Sequence, residues 1–325
     1  MTCRNLGKGI YVRKDALKSL EKADGIIFDC DGVLVDVSKS YDLAIKLTTA
    51  LVLERFASTK SIPITTEIIQ KFKDTGGFND EVDVTYAAVL SLVAAKRLGT
   101  SPKSFILRVI KNADDTGIES VEKFLDSLKV DISDIRKKLD YPGTHSTNPL
   151  YKIFDQIFYG PKLYEKIFGK KSQFSGRGLI ENDKVIVTKQ LIKSLQKRFG
   201  KKTAIVTGRG KQSIKYSLKE LLDGFDLRSS VFLEDEPRKL AKPNPKSLLM
   251  SIHGLKTKHC IYVGDSMEDL IMAKKASKLG CRVDFCGIYG TSKSPASKKK
   301  FFEKNGALII LESIKLLPKT LNLVK

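Results

Sequence analysis

Gly25-Ile26-Ile27-Phe28-Asp29-Cys30-Asp31-Gly32-Val33-Leu34 is the stretch that decides how this 325-residue chain is read. An apolar run leads into two carboxylates at alternate positions, then a glycine and a second apolar pair. On a strand, residues i and i+2 point to the same face. Asp29 and Asp31 are therefore expected to leave the C-terminal end of a buried strand together, with Gly32 letting the chain turn. Two like charges held this close favour a cation or a phosphoryl group as partner. The same string also serves as an ordinary turn whose Asp side chains bond locally. Taken alone, the stretch leaves both uses open.

The rest of the chain bounds the answer. Its length allows two domains and a substantial core. With 42% hydrophobic and 29% charged residues it has the composition of a soluble globular protein. No apolar run reaches membrane-spanning length, and Met1-Thr2-Cys3-Arg4 does not open a signal-peptide core, so a cytoplasmic protein without a membrane partner is expected. The five cysteines form no CxxC pair and read as reduced thiols. Three scattered histidines give little support to a zinc site or a histidine triad. The net charge of +21 and pI of about 9.6 attract anions. The excess is mostly lysine spread over predicted helix surfaces, with one dense tract from Lys293 to Lys304. No basic run is interleaved with aromatics, so the charge reads as a solvated surface and argues against a nucleic-acid partner.

Residues 1–24 read as a lead-in with weak helical periodicity over 16–23. A strand follows at 25–28. Residues 38–175 are almost wholly helical in pattern, with a loop on composition at 141–149. After Gly176-Arg177-Gly178 the texture changes to helices and short apolar strands in alternation, which predicts a parallel α/β sheet. The expected layout is a lead-in (1–24), a discontinuous α/β core (25–37 and 176–325) and an inserted helical domain (38–175).

Three further signals fall just beyond predicted strand ends, where a parallel sheet gathers its ligands. Thr207 and Gly208 follow the strand Thr203-Ala204-Ile205-Val206; they offer a hydroxyl and backbone N–H groups to an anion, or make a plain turn. Lys242, in Ala241-Lys242-Pro243-Asn244-Pro245, is flanked by prolines that restrict its backbone, although a solvated lysine is the ordinary alternative in so basic a chain. Asp265 leaves the strand Ile261-Tyr262-Val263-Gly264, and Asp269 sits in the first turn of the next helix, where capping alone would explain it.

In this order, Asp29-Cys30-Asp31-Gly32-Val33-Leu34, Thr207, Lys242 and Gly264-Asp265 with Asp269 resemble the four motifs of the haloacid dehalogenase superfamily. The helical insertion after the first motif resembles the C1 cap of its subfamily I, in a mainly archaeal phosphatase branch. The resemblance runs from about residue 25 to the C-terminus. It implies a Rossmann-like parallel-sheet core and a Mg²⁺-dependent phosphatase. Asp29 would be the nucleophile that forms an aspartyl-phosphate, and Asp31 the general acid and then base. Asp29, the main-chain carbonyl of Asp31 and Asp265 would hold the metal, with Asp269 supporting it. Thr207, with Gly208, and Lys242 would bind the phosphoryl oxygens. Asp31 favours phosphoryl chemistry over dehalogenation, in which the leaving halide needs no proton.

Specificity would then lie in the insertion. Gly76-Gly77-Phe78-Asn79 stands out there as a candidate substrate loop, against a glycine turn with Asn79 or Asp80 as helix cap. Arg209, Arg177, Ser38, Ser40 and Tyr41 are further candidates to face the substrate. The expected substrate is a small phosphorylated metabolite, phosphoglycolate or histidinol phosphate by resemblance, handled by a monomer or homodimer. The alternatives are a phosphosugar mutase and a nucleic-acid-associated phosphatase.

Overall fold

A computed structural model describes residues 3–13, 16–58, 63–78 and 80–321. The chain divides into two compact units, residues 1–38 with 183–325, and residues 39–182.

The first unit is built on an eight-stranded sheet. Its strands are β1 (Cys3–Gly7), β2 (Ile10–Arg13), β3 (Gly25–Phe28), β6 (Thr203–Thr207), β7 (Val231–Phe232), β8 (His259–Gly264), β9 (Arg282–Ile288) and β10 (Ile309–Leu311). A separate two-stranded ribbon pairs β4 (Val35–Asp36) with β5 (Lys184–Val185) antiparallel. The sheet order is β1-β2-β10-β9-β8-β3-β6-β7. The six strands from β10 to β7 are parallel, and β2 joins β10 antiparallel. Strands buried on both faces read as continuous apolar runs, and β3 behaves so. Ile26 and Phe28 pack to one side with Leu191 and Ile214, whereas Ile27 packs to the other with Leu248 and Tyr262.

The residues expected to be a lead-in are part of this sheet. Ile10 and Val12 are buried in its core, and β2 supplies the antiparallel partner of β10. The boundaries of the helical insertion also shift, to Lys39 and Asn182. The missing piece was the ribbon, whose strand β5 begins after the glycine-rich stretch and carries no alternating pattern.

Asp24, just ahead of β3, ties strand ends together. Its carboxylate accepts from Thr257 Oγ1 (2.6 Å), His259 N (2.9 Å) and Lys202 Nζ (2.7 Å). Partial burial would raise its pKa, but the lysine and the hydrogen bonds outweigh that and hold it well below the usual range. This stabilisation is present above the ordinary aspartate range and lost as the pH falls through the lowered value. Asp24→Ala is expected to lower unfolding free energy by about 1–3 kcal/mol in urea titration at neutral pH, and by less in acid.

The second unit is helical: α2 (Tyr41–Ala57), α3 (Thr66–Lys73), α4 (Glu81–Arg97), α5 (Pro102–Lys111), α6 (Ile118–Ser127), α7 (Ser133–Leu139) and α8 (Pro149–Phe168), following α1 (Ala16–Lys22) of the first unit. Helix α4 is buried on every side from Val82 to Ala95, a mostly apolar stretch that also buries Asp83, Thr85 and Ser91. Asp80 caps it, its side chain accepting from Val82 N at 2.8 Å. Among the described residues no helix is long and apolar enough to cross a membrane.

Candidate active site

The C-terminal edge of the parallel strands brings the four motifs together. Asp29 follows β3, Thr207 ends β6, and Asp265 follows β8. A hydrogen bond from Asp29 N to Val263 O (2.8 Å) holds the first and last of these ends side by side. Gly32 is required twice over. Its φ of +73° is left-handed, and a Cβ there would stand 2.4 Å from Asp265 Oδ2.

Lys242 is the centre of the arrangement. Its side chain is 1% exposed, and Nζ lies 2.8 Å from Asp29 Oδ1 and 2.7 Å from Asp269 Oδ1. The lysine reaches the edge from the loop before the helix Lys246–Gly254, whose first N–H is capped by Asn244 Oδ1 at 3.0 Å. Burial alone would lower the Lys242 pKa, but Asp269 and Asp29 raise it above the usual lysine value.

Asp269 has no oxygen left over for direct work on a ligand. Oδ1 accepts from Lys242 and Tyr262 Oη (2.7 Å). Oδ2 accepts from Asp265 N, Ser266 N and Ser266 Oγ at 2.8–3.1 Å, while Ser266 Oγ accepts from Asp269 N. This is a capping box that starts the helix Met267–Lys278 and aims Lys242. Burial would raise the Asp269 pKa; Lys242 and the hydrogen bonds reverse that and hold it low.

Asp29 shifts the opposite way. Burial is the largest cause and pushes its pKa well up; Lys242 opposes it, while Asp269, Asp31 and Asp265 add to it. One ammonium shared by two buried carboxylates does not neutralise the cluster. Asp29, Asp265 and Asp269 each place a carboxylate oxygen within 4.8 Å of the others. Hard oxygen donors around an under-neutralised anion fit a small divalent cation such as Mg²⁺. Asp29 and Asp265 carry the carboxylates that would ligate it, since the Asp269 oxygens already accept from Lys242, Tyr262, Ser266 and the Asp265 backbone. Asp265 Oδ2 is held by Lys298 Nζ at 3.0 Å.

A pH effect follows from Asp29. A raised folded pKa means that the folded chain binds more protons between the ordinary aspartate range and the raised value, so metal-free stability falls as pH rises through that window. Added Mg²⁺ is expected to offset the fall, and its binding to tighten with pH because a proton must leave. Thermal melts with and without the ion across acid to neutral pH check both; Asp29→Asn is expected to flatten the metal-free slope.

Thr207 is fully buried, and its Oγ1 accepts from Arg209 N at 3.3 Å, so it stands at the strand end as expected. Gly208 beside it is exposed. Arg209 differs from expectation. Arg209 Nε bonds Asp31 Oδ1 at 2.7 Å, and the guanidinium is 1% exposed, so its charge is spent on protein carboxylates instead of on a substrate. One oxygen of the Asp31 carboxylate, Oδ1, is thus held by Arg209.

In the helical unit, the glycine-aromatic loop is structural. Phe78 is fully buried and packs on Phe72 at 5.1 Å between ring centroids. A Cβ on Gly77 would meet Gly117 N at 2.4 Å, and Gly76, with φ of +90°, continues the turn after α3. Asn79 lies outside the described residues. Arg177 is an exposed partner of Glu181, Tyr41 stacks on Phe158 at 4.5 Å, and Ser40 is buried at the start of α2. Ser38 closes an Asx turn on Asp36 (3.0 Å).

Comparison with known proteins gives the class. Residues 181–277, which hold Thr207, Lys242, Asp265 and Asp269, match the family of haloacid dehalogenase-like hydrolases. Phosphatase Tt82 of Thermococcus thioreducens shares the fold at TM-score 0.56 and 23% identity, over 82% of this chain and 94% of that one. A phosphonoacetaldehyde hydrolase-like protein of Oleispira antarctica does so at TM-score 0.50 and 15% identity, over 93% and 92%. The chain thus shares the fold of these two proteins, and the family match is to its segment 181–277. A curated relative, imidazoleglycerol-phosphate dehydratase of Phytophthora nicotianae, is 30% identical over 141 residues, 41% of this chain. The match spans only 30% of that relative's length.

Proposed function

We propose that this chain is a Mg²⁺-dependent phosphatase that hydrolyses a small phosphorylated metabolite through an aspartyl-phosphate on Asp29. The observation that carries this reading is the Asp29–Lys242–Asp269 chain of ion pairs (2.8 and 2.7 Å) at the C-terminal edge of the sheet, with Asp265 alongside. It is a nucleophile held beside a fixed positive charge. When bound, the cation screens the carboxylate nucleophile from the phosphate dianion. Asp29, the carbonyl of Asp31 and Asp265 would hold it.

In the first step an Asp29 oxygen forms a bond to phosphorus while the bond to the leaving oxygen breaks, and the Asp31 carboxyl gives that oxygen a proton. In the second, Asp31 takes a proton from water as the water oxygen attacks phosphorus. The phosphorus–Asp29 bond breaks and inorganic phosphate leaves. Lys242 and Thr207 bind phosphoryl oxygens during both steps, Lys242 also keeping Asp29 and Asp269 together. Asp269 acts by holding Lys242 and the Asp265 backbone. The helical unit, inserted in sequence between Asp31 and Thr207, is assigned the choice of substrate.

Phosphoglycolate and histidinol phosphate are the substrates to try first. The name of the dehydratase relative points to imidazole-bearing phosphate monoesters, which supports the second. Phosphate release from a panel of small monoesters with Mg²⁺ tests the reading. Release that chelator abolishes is expected; isomerisation of a phosphosugar without phosphate release would replace hydrolase by mutase.

A further inference from the structure

Arg209 is 2% exposed, the most deeply buried arginine or lysine among the described residues, and its fork is engaged on three sides. Nε bonds Asp31 Oδ1 at 2.7 Å, one terminal nitrogen bonds Asp183 Oδ2 at 2.7 Å, and the other bonds Ser217 Oγ at 3.0 Å. The Arg209 side chain is 1% exposed and that of Asp183 is 4% exposed. Asp183 and Asp31 stand at the roots of the two ribbon strands. Asp183 runs directly into β5, and Asp31 bridges to Val35 in β4. Three planar donors placed on three acceptors from separate segments fix direction as well as charge, which a lysine ammonium cannot do.

We infer that Arg209 is a positioning residue that fixes the orientation of the Asp31 carboxyl for proton transfer, with Asp183 and Ser217 anchoring the guanidinium. The inference rests on the phosphatase reading. Asp31 must meet two different oxygens in turn, the leaving oxygen in the first step and water in the second. A carboxyl free to rotate meets neither reliably; one whose Oδ1 is pinned presents the same edge to both. Arginine keeps its proton throughout, so Arg209 is neither acid nor base in the cycle. Arg209 touches no reacting atom and acts only through Asp31.

A purely structural clamp would lower all activities alike, whereas a residue acting through the general acid matters most when the leaving group needs a proton. An alkoxide needs one; an activated phenolate leaves without it. The test measures kcat with Mg²⁺ for wild type, Arg209→Lys and Asp183→Asn on alkyl phosphates and on nitrophenyl phosphates. General acid catalysis contributes about 10²–10⁴-fold. Loss of its aim is expected to cost Arg209→Lys about 10–100-fold on alkyl phosphates and less than about threefold on nitrophenyl esters. Asp183→Asn keeps the guanidinium, and is expected to show the same trend more weakly should Arg209→Lys fail to fold. In an Asp31→Asn background, Arg209→Lys is expected to add nothing on alkyl phosphates.

An equal loss on both substrate types, or full additivity with Asp31→Asn, overturns the assignment of Arg209 and leaves the phosphatase reading standing. A wild type inert toward every monoester overturns the phosphatase reading, and the assignment with it.

Discussion

Asp29→Asn protein is expected to lose at least about 10⁴-fold in kcat while keeping its fold, the pattern of a removed covalent nucleophile. The amide is nearly isosteric with the carboxylate but does not attack phosphorus. Its effect on stability should run the other way. Asp29 is buried among Asp31, Asp265 and Asp269, and its charge is disfavoured there. An uncharged side chain at that place removes the repulsion and leaves Lys242 paired with Asp269. In metal-free buffer near neutral pH, Asp29→Asn should therefore melt no lower than wild type. Activity assays and thermal melts on the same preparation check the two halves together. Inactivity accompanied by a large fall in melting temperature would mean that Asp29 holds the fold.

Lys242→Met carries the second large effect, and here activity and stability fall together. The substitution keeps the apolar stem and removes the ammonium that Asp29 and Asp269 share. Breaking a buried pair from one side costs about 3–5 kcal/mol, because the carboxylates left behind are uncompensated. Loss of a charged group aimed at transferring phosphoryl oxygens costs about 10²–10³-fold in kcat. The double variant with Asp29→Asn separates the two. It should recover part of the stability, since one of the stranded carboxylates is gone, and none of the activity. Denaturant unfolding of the four proteins gives the coupling, expected to exceed about 1 kcal/mol for groups in direct contact. Simple additivity would show that Lys242 and Asp29 do not depend on each other.

The features legible in the sequence are those carried by local pattern. The run Gly25–Phe28 is buried on both faces and had to be a central strand, and Thr203–Thr207 and His259–Gly264 are alike in this. The helical texture of the insertion was plain from its apolar spacing. The ribbon of β4 and β5 was not, because two-residue strands have no period to read and Lys184 and Val185 are both exposed. The edge strands β1 and β2 left a fainter trace. Ile10-Tyr11-Val12 after Gly7 and Gly9 is a hairpin signal that was available.

Within the site, the positions of the motif residues followed from strand ends, but side-chain partners did not. Arg209 sits next to Thr207-Gly208, so sequence proximity suggested a substrate ligand. Its partners Asp31 and Asp183 lie 178 and 26 positions away, and only the folded sheet brings them together. Phe78 was open to the same error in reverse. An aromatic beside two glycines suits a substrate loop, but here it fills the core against Phe72. Asp183 carried no signal at all, being one acidic residue in a polar connection.

The central claim is that Asp29 becomes phosphorylated during turnover. An acyl phosphate is reduced by borohydride, which converts the aspartate side chain to that of homoserine, so the attacked residue is marked permanently. Wild-type protein mixed with substrate and Mg²⁺, quenched into borohydride and mapped by peptide mass spectrometry should show this conversion at Asp29. Omitting substrate, or using Asp29→Asn protein, should leave the position unmodified. Steady release of phosphate under these conditions with no conversion at Asp29 would contradict the account.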